Sequence, residues 1–198
     1  MKISEEIQEL IRSLSKIPGF GNRSAVRATI ALISERENRL RPLLSALAQV
    51  DAAISPCPVC GNFDTVSPCG ICKNPGRDNK ILCIVEDISD LWAMERGNIF
   101  SGRYHILGGI LSAIQGIEPA DLNLSPLPAR IRDEGVTEVI LALPSTVDAK
   151  ITSHYIKSLL EGTGVRITEL ASGIPLGGEL SFLDEGTIEE ALKGRKTI

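Results

Sequence analysis

The stretch CPVCGNFDTVSPCGIC, residues 57–72, divides the chain and decides how the rest is read. It carries two Cys-x-x-Cys knuckles, Cys57/Cys60 and Cys69/Cys72, with eight residues between them. Each knuckle turns two sulfurs toward one point, and two knuckles at this spacing suit a single tetrahedral Zn²⁺ held by four thiolates. Glycines follow Cys60 and Cys69 and ease backbone bending around a metal. Residues 54–80 otherwise hold prolines, glycines and asparagines with almost no apolar period, so the segment buries too little surface to fold unaided and needs a staple. Metal binding here is folding energy, on the order of 10 kcal/mol. Four protein ligands close the shell, which makes the site structural rather than catalytic. Four thiolates around a dication leave the centre negative, and Lys73, Arg77 and Lys80 are expected to offset part of that charge. The other chemistry of such motifs, a thioredoxin-like dithiol pair, needs a surrounding βαβ pattern that is missing here.

Upstream, the chain reads as helical. Ile3, Ile7, Leu10, Ile11 and Leu14 form one apolar stripe over residues 3–14. Pro18 and Gly19 stop that helix, and Asn22 is expected to cap a second one running to about Ser34 under cover of Ala25, Val26, Thr29, Ile30 and Leu32. A third helix over 37–53 places Leu40, Leu43, Leu44, Leu47 and Val50 at helical spacing. The first connection, IPGFGNRSAVR (17–27), sets Gly19 and Gly21 around Phe20, then Arg23 and Arg27 four residues apart. It resembles the helix-hairpin-helix motif of DNA repair proteins. Glycines let backbone N–H groups approach a phosphate with no side chain in the way, and the second helix adds its own N–H groups and partial positive charge. Arg23 and Arg27 share a face and extend the grip, which reads backbone and not base, so binding is expected to ignore sequence and weaken with salt. The plainer reading is an αα-hairpin whose glycines only permit close packing.

Downstream, ILCIVE (81–86), TEVILALP (137–144) and VRITEL (165–170) are continuous apolar runs of the kind buried parallel strands require. Helices read over DLWAMERG, with Asp87 or Ser89 as cap, over 147–161 with Val147, Ile151, Tyr155, Ile156 and Leu159 on one side, and near 187–194. YHILGGILSAIQGIEP (104–119) resists assignment. Strands alternating with helices imply an α/β layer with a mostly parallel sheet. Glu86 ends its strand, with Asp87 and Asp90 beyond it, where open parallel sheets bind ligands. This resembles the Toprim domain of topoisomerases and primases, in which a strand-end Glu and a later acid pair hold Mg²⁺. Here the later place reads Asp148-Ala149-Lys150, and a lysine disfavours the metal. Cys83 lies inside a strand and reads as core; His105 and His154 are far apart in sequence. There is no P-loop and no arrangement of a nucleophilic triad.

The 198 residues allow one or two domains with a core, and 43% hydrophobic with 23% charged residues fits a soluble globular chain. No apolar run approaches the ~18 residues of a membrane span, and the N-terminus lacks the apolar centre of a signal peptide. A cytoplasmic chain with reduced cysteines is the expectation. The net charge of −4 is uneven: +3 over 1–50, 0 over 51–80, −5 over 81–150 and −2 over 151–198. A basic front suits phosphates, and an acidic middle suits a metal or a basic partner.

Taken in order, the hairpin IPGFGNRSAVR, the knuckles CPVC and CGIC, and the segments LCIVEDISDLWAME, GRYHILGGILSAIQGIEPADL, EVILALPSTVDAKITSHYI and GIPLGGELSFLDEGTIEEALKGR resemble the RecR family of bacterial recombination mediators over essentially the whole chain. The resemblance implies an α+β multidomain protein: a helix-hairpin-helix DNA-binding domain (1–53), a four-cysteine zinc finger (54–79), a Toprim domain with a mostly parallel sheet (80–173) and a C-terminal oligomerisation segment (174–198). It implies no catalysed reaction. It implies a homodimer or ring-like homotetramer able to encircle DNA, association with the nucleoid, and action with RecO, and in many bacteria RecF, to load RecA onto single strands. By the resemblance, DNA-binding positions are Gly19, Gly21, Arg23 and Arg27, zinc ligands are Cys57, Cys60, Cys69 and Cys72, and Glu86, Asp90 and Asp148 belong to an acidic face implicated in docking RecO. The alternative is a Mg²⁺-dependent Toprim nuclease or primase-like enzyme using those same acids. Departures from the family pattern are Asp148-Ala149-Lys150 for Glu-Gly-Glu, Ala113 for Pro, and Glu169 and Ser172 where Arg is frequent.

Overall fold

The computed structural model describes residues 3–171, 173–175 and 177–195, and by compactness the chain divides into two units, Met1–Ile54 and Ser55–Ile198. Ser172 lies outside the described residues.

In the first unit, α1 (Glu5–Ser15) packs on α2 (Asn22–Ser34), a π-helical turn spans Arg36–Leu40, and α3 covers Arg41–Ala53. The third helix thus starts later than its apolar period suggests, because Pro42 sets its first turn. Only Ala25 and Thr29 are buried in the helices of this unit. The expected apolar cover of α3 is exposed instead: Leu43, Leu44, Leu47 and Val50 face outward, as do Ile30 and Ile33 of α2. Their helical spacing is as expected, but no described residue of this unit covers them.

The second unit opens with a short antiparallel pair, β1 (Ser55–Pro56) and β2 (Phe63–Asp64), and a single helical turn, α4 (Gly70–Lys73). The main sheet contains β3 (Asp78–Val85), β4 (Gly102–Ile106), β5 (Glu138–Ala142) and β6 (Arg166–Glu169) in the order β4-β3-β5-β6, all parallel. The helices are α5 (Ile88–Gly97), α6 (Leu127–Glu134), α7 (Val147–Leu159) and α8 (Glu185–Lys193).

The apolar run of β3 is explained by burial on both faces. Leu82 and Ile84 join a core with Leu127 and Ile131 of α6 and Ile156 of α7, while Cys83 and Val85 join a second with Leu91 of α5 and Tyr104. On α7 the buried residues are Ala149, Thr152 and Ile156, a stripe that the more apolar set Val147, Ile151 and Tyr155 hides in the sequence; those three are exposed. Thr152 is accommodated because its Oγ1 donates to Asp148 O and accepts from the Leu111 N–H at 3.0 Å.

Candidate metal centre and nucleic-acid interface

The zinc module is built by backbone geometry. Gly61 takes φ +85°, and its N–H returns to Cys57 O at 2.9 Å, closing the first knuckle. Gly70 does not need such freedom: it begins α4, and its N–H donates to Asp64 Oδ2 at 2.7 Å. The two knuckles bring the Sγ atoms of Cys57, Cys60, Cys69 and Cys72 within 4.8 Å of one another, with Cys60–Cys69 at 3.6 Å and Cys57–Cys72 at 4.0 Å. Tetrahedral Zn–S bonds of about 2.3 Å require S–S edges of roughly 3.8 Å, so the set fits. Backbone amides support the sulfurs: Cys69 N–H donates to Cys57 Sγ at 3.3 Å, and Asn62 N–H to Cys60 Sγ at 3.5 Å. A hydrogen bond from Cys72 holds the Cys60 thiol down at about 5, whereas that bond, burial and neighbouring sulfurs push Cys72 up. Burial and neighbouring sulfurs raise Cys69 and Cys72, a penalty that a dication among the thiolates would offset. The four cysteines form a structural zinc site.

Two of the three expected counter-charges, Arg77 and Lys80, are engaged elsewhere. Arg77 is paired with Glu95 and also donates to the carbonyls of Phe100 and Gly102, while Lys80 Nζ donates to Gly135 O. The guanidinium bonded to the zinc module is that of Arg130, which reaches Val59 O at 3.1 Å from α6. No sequence signal announces this contact, because 71 residues separate the partners.

At the hairpin, Gly19 takes φ +80° and the Phe20 N–H closes the turn on Ile17 O at 2.9 Å. Gly21, not Asn22, is the N-cap of α2; its φ of −73° and ψ of 165° suit any residue. A Cβ added to either glycine meets nothing within 4 Å, so neither is small in order to pack against the rest of the chain. The first turn of α2 has no side-chain cap and no acid. Its first N–H groups therefore face outward with the positive end of the helix dipole. Arg12, Arg39 and Arg41 are paired with glutamates on nearby turns, but Arg23 and Arg27 are exposed and, among the described residues, form no ion pair. Arg27 borders a groove of about 500 Å³ along α2 with Ser24, Ala28 and Ile30.

The acidic edge lies in the second unit. Glu86 follows β3 directly, and its carbonyl accepts the N–H groups of Gly108 and Gly109 at 2.9 and 3.2 Å. Burial, with repulsion from Asp90 and Asp87, raises its carboxyl above the usual range. Asp87 is the cap of α5: Oδ1 accepts from the Ser89 and Asp90 N–H groups, and Asp90 returns a bond to the Asp87 N–H. Asp148 lies in the first turn of α7, capped by Thr146, and Lys150 is exposed. Glu86, Asp90 and Asp148 do not form a metal-sized cluster: among the described residues, the cysteines are the only group of three or more such donors brought together. A cleft of about 430 Å³ adjoins this edge, lined by Asp87, Ile88, Ser89, Gly108 and Asn123, with Gly61 of the first knuckle. His105, which the sequence leaves without a role, is fully buried in β4, whereas His154 is exposed.

Comparison with known proteins accounts for nearly every segment. Family models match in order: RecR, helix-hairpin-helix over residues 7–50; RecR, four-cysteine zinc finger domain over 54–74; Toprim domain over 80–171; and RecR, C-terminal over 173–196. The chain is 53% identical over 193 residues to a recombination protein RecR of Hyphomonas neptunium, covering 98% of this chain and 96% of that one. It is 51% identical to that of Rhodospirillum rubrum over 98% of both chains, and 49% identical to that of Caulobacter vibrioides over 96% of both.

Proposed function

The chain belongs to the RecR family, and from that premise we propose that it is a non-enzymatic mediator of recombinational DNA repair that holds DNA by its phosphates. The observation that carries this reading is the open start of α2, where uncapped N–H groups, two glycines and two arginines with no ion-pair partner among the described residues coincide on one surface. An anion fits such a place, and phosphate contacts carry no sequence information. One hairpin makes few contacts and binds weakly; several copies around a ring multiply effective concentration and retain DNA topologically. Self-association has support in the uncovered side chains: Leu43, Leu44, Leu47 and Val50 in the first unit, and Leu180, Phe182 and Leu192 near the C-terminus. The acidic residues Glu86, Asp90 and Asp148 are left for a basic protein partner, RecO with RecF in support, and RecA loading follows from that assembly.

The test is a gel shift of Arg23→Ala plus Arg27→Ala over a salt series, with and without RecO, alongside mass measurement of the assembly. Binding is expected to fall and the slope of affinity against salt to shrink by about one for each phosphate that the arginines no longer reach, with the assembled mass unchanged. Unaltered binding at every salt concentration contradicts the reading.

A further inference from the structure

We propose that Arg130 is a positioning residue for the zinc centre, locking the first knuckle to the edge strand β4, so that zinc loading and the order of that edge are one equilibrium. Arg130 is 8% exposed, and its Nη1 faces three acceptors on two elements: Val59 O in the first knuckle at 3.1 Å, Tyr104 O in β4 at 2.8 Å, and His105 Nδ1 at 3.2 Å. Its Nε donates to Glu134 at 2.9 Å, while Nη2 is buried without a partner among the described residues. Arginine only donates, so His105 accepts at Nδ1 and presents Nε2–H to Asn123 O at 2.5 Å. The same edge is joined to the metal module once more, where the Ile106 N–H donates to Cys60 O at 2.9 Å. Arg130 and Ile106 thus grip the Val59 and Cys60 carbonyls, the last two of CPVC, from the second unit's sheet and α6.

Such a grip acts on the metal through its ligands. Holding the Val59 carbonyl fixes the turn that aims Cys57 and Cys60. Residues that orient metal ligands from behind typically change metal affinity by about 10–100-fold when replaced. Arg103 supplies an internal comparison. It shares the partner Glu134, at 3.2 Å, but forms no hydrogen bond to the zinc module. A residue that merely stabilises the domain behaves like Arg103.

Arg130→Lys and Arg103→Lys both keep the charge and lose the planar fork. Zinc affinity of the full-length variants is measured by competition with a chromophoric chelator. Release is also followed by the emission of Trp92, the chain's one tryptophan, whose indole N–H donates to Asn62 Oδ1 at 3.2 Å beside the first knuckle. Arg130→Lys is expected to weaken zinc binding about tenfold or more, with Arg103→Lys within about twofold of the wild type. Equal losses in the two variants, or none, overturn the proposal. If Arg130→Lys does not fold, hydrogen exchange on the wild type decides. Stripping zinc is expected to expose the amides of residues 102–106 as well as those of 55–74, with 166–169 on the far edge still protected; a change confined to 55–74 overturns it.

Discussion

The helices α2 and α5 begin in opposite ways. Helix α5 is closed: Asp87 accepts two N–H groups, Asp90 returns a bond, and the dipole's positive end is neutralised by the chain's own carboxylates. Helix α2 begins at Gly21 with no side-chain cap and no acid in its first turn, and its arginines have no ion-pair partner among the described residues. The difference extends to the units that contain them. The second buries two cores around a four-stranded sheet, while the first buries almost nothing and leaves leucines outside. Self-satisfied polar groups stabilise a fold; groups left open are available to a partner.

That contrast predicts where perturbations act. The largest effect expected is acid sensitivity confined to the second unit. Burial pushes His105 down to about 4, with Arg130 and Glu134 as the charged groups facing it. A histidine held neutral in the fold contributes stability that is present above its unfolded value near 6.5 and lost as pH falls toward 4, up to about 3 kcal/mol. Urea unfolding at pH 7, 5.5 and 4.5 in excess zinc is expected to show this slope, and His105→Gln to flatten it. An identical slope in the variant contradicts the assignment. Next in size, Asp87→Ala removes the cap of α5 and is expected to cost about 1 kcal/mol of unfolding free energy. The smallest effect has the opposite sign. Glu86→Gln relieves a half-buried carboxylate that its neighbours repel, so thermal stability is expected to rise slightly while binding of a basic partner weakens; a fall in stability contradicts the repulsion.

Much of this was readable in residues 57–72 and in the apolar strands, because thiolate spacing and two-faced burial each leave a short local signature. Three elements were not. Strand β4 is written Gly-Arg-Tyr-His-Ile, and its histidine is buried only because Arg130 and Asn123 supply partners from a distance. Helix α6 turns an arginine inward, against the usual pattern of charge. The leucines of α3 have the right period for a core, yet among the described residues of their unit they stay exposed. At the hairpin, the sequence shows the glycines and arginines but not that Asn22 cedes the cap to Gly21, since capping depends on backbone angles. Lys73, Arg77 and Lys80 look well placed beside the cysteines, yet two of them bond elsewhere.

The open start of α2 is tested most directly by closing it. Gly21→Asp places a capping carboxylate where α5 has one, at an ordinary φ and with nothing within 4 Å of the new Cβ. DNA affinity and thermal stability are measured on the same sample at low salt. Stability unchanged or raised by a few tenths of a kcal/mol, with DNA affinity reduced about tenfold or more, is the expected result. A variant that retains DNA as tightly as the wild type contradicts the account.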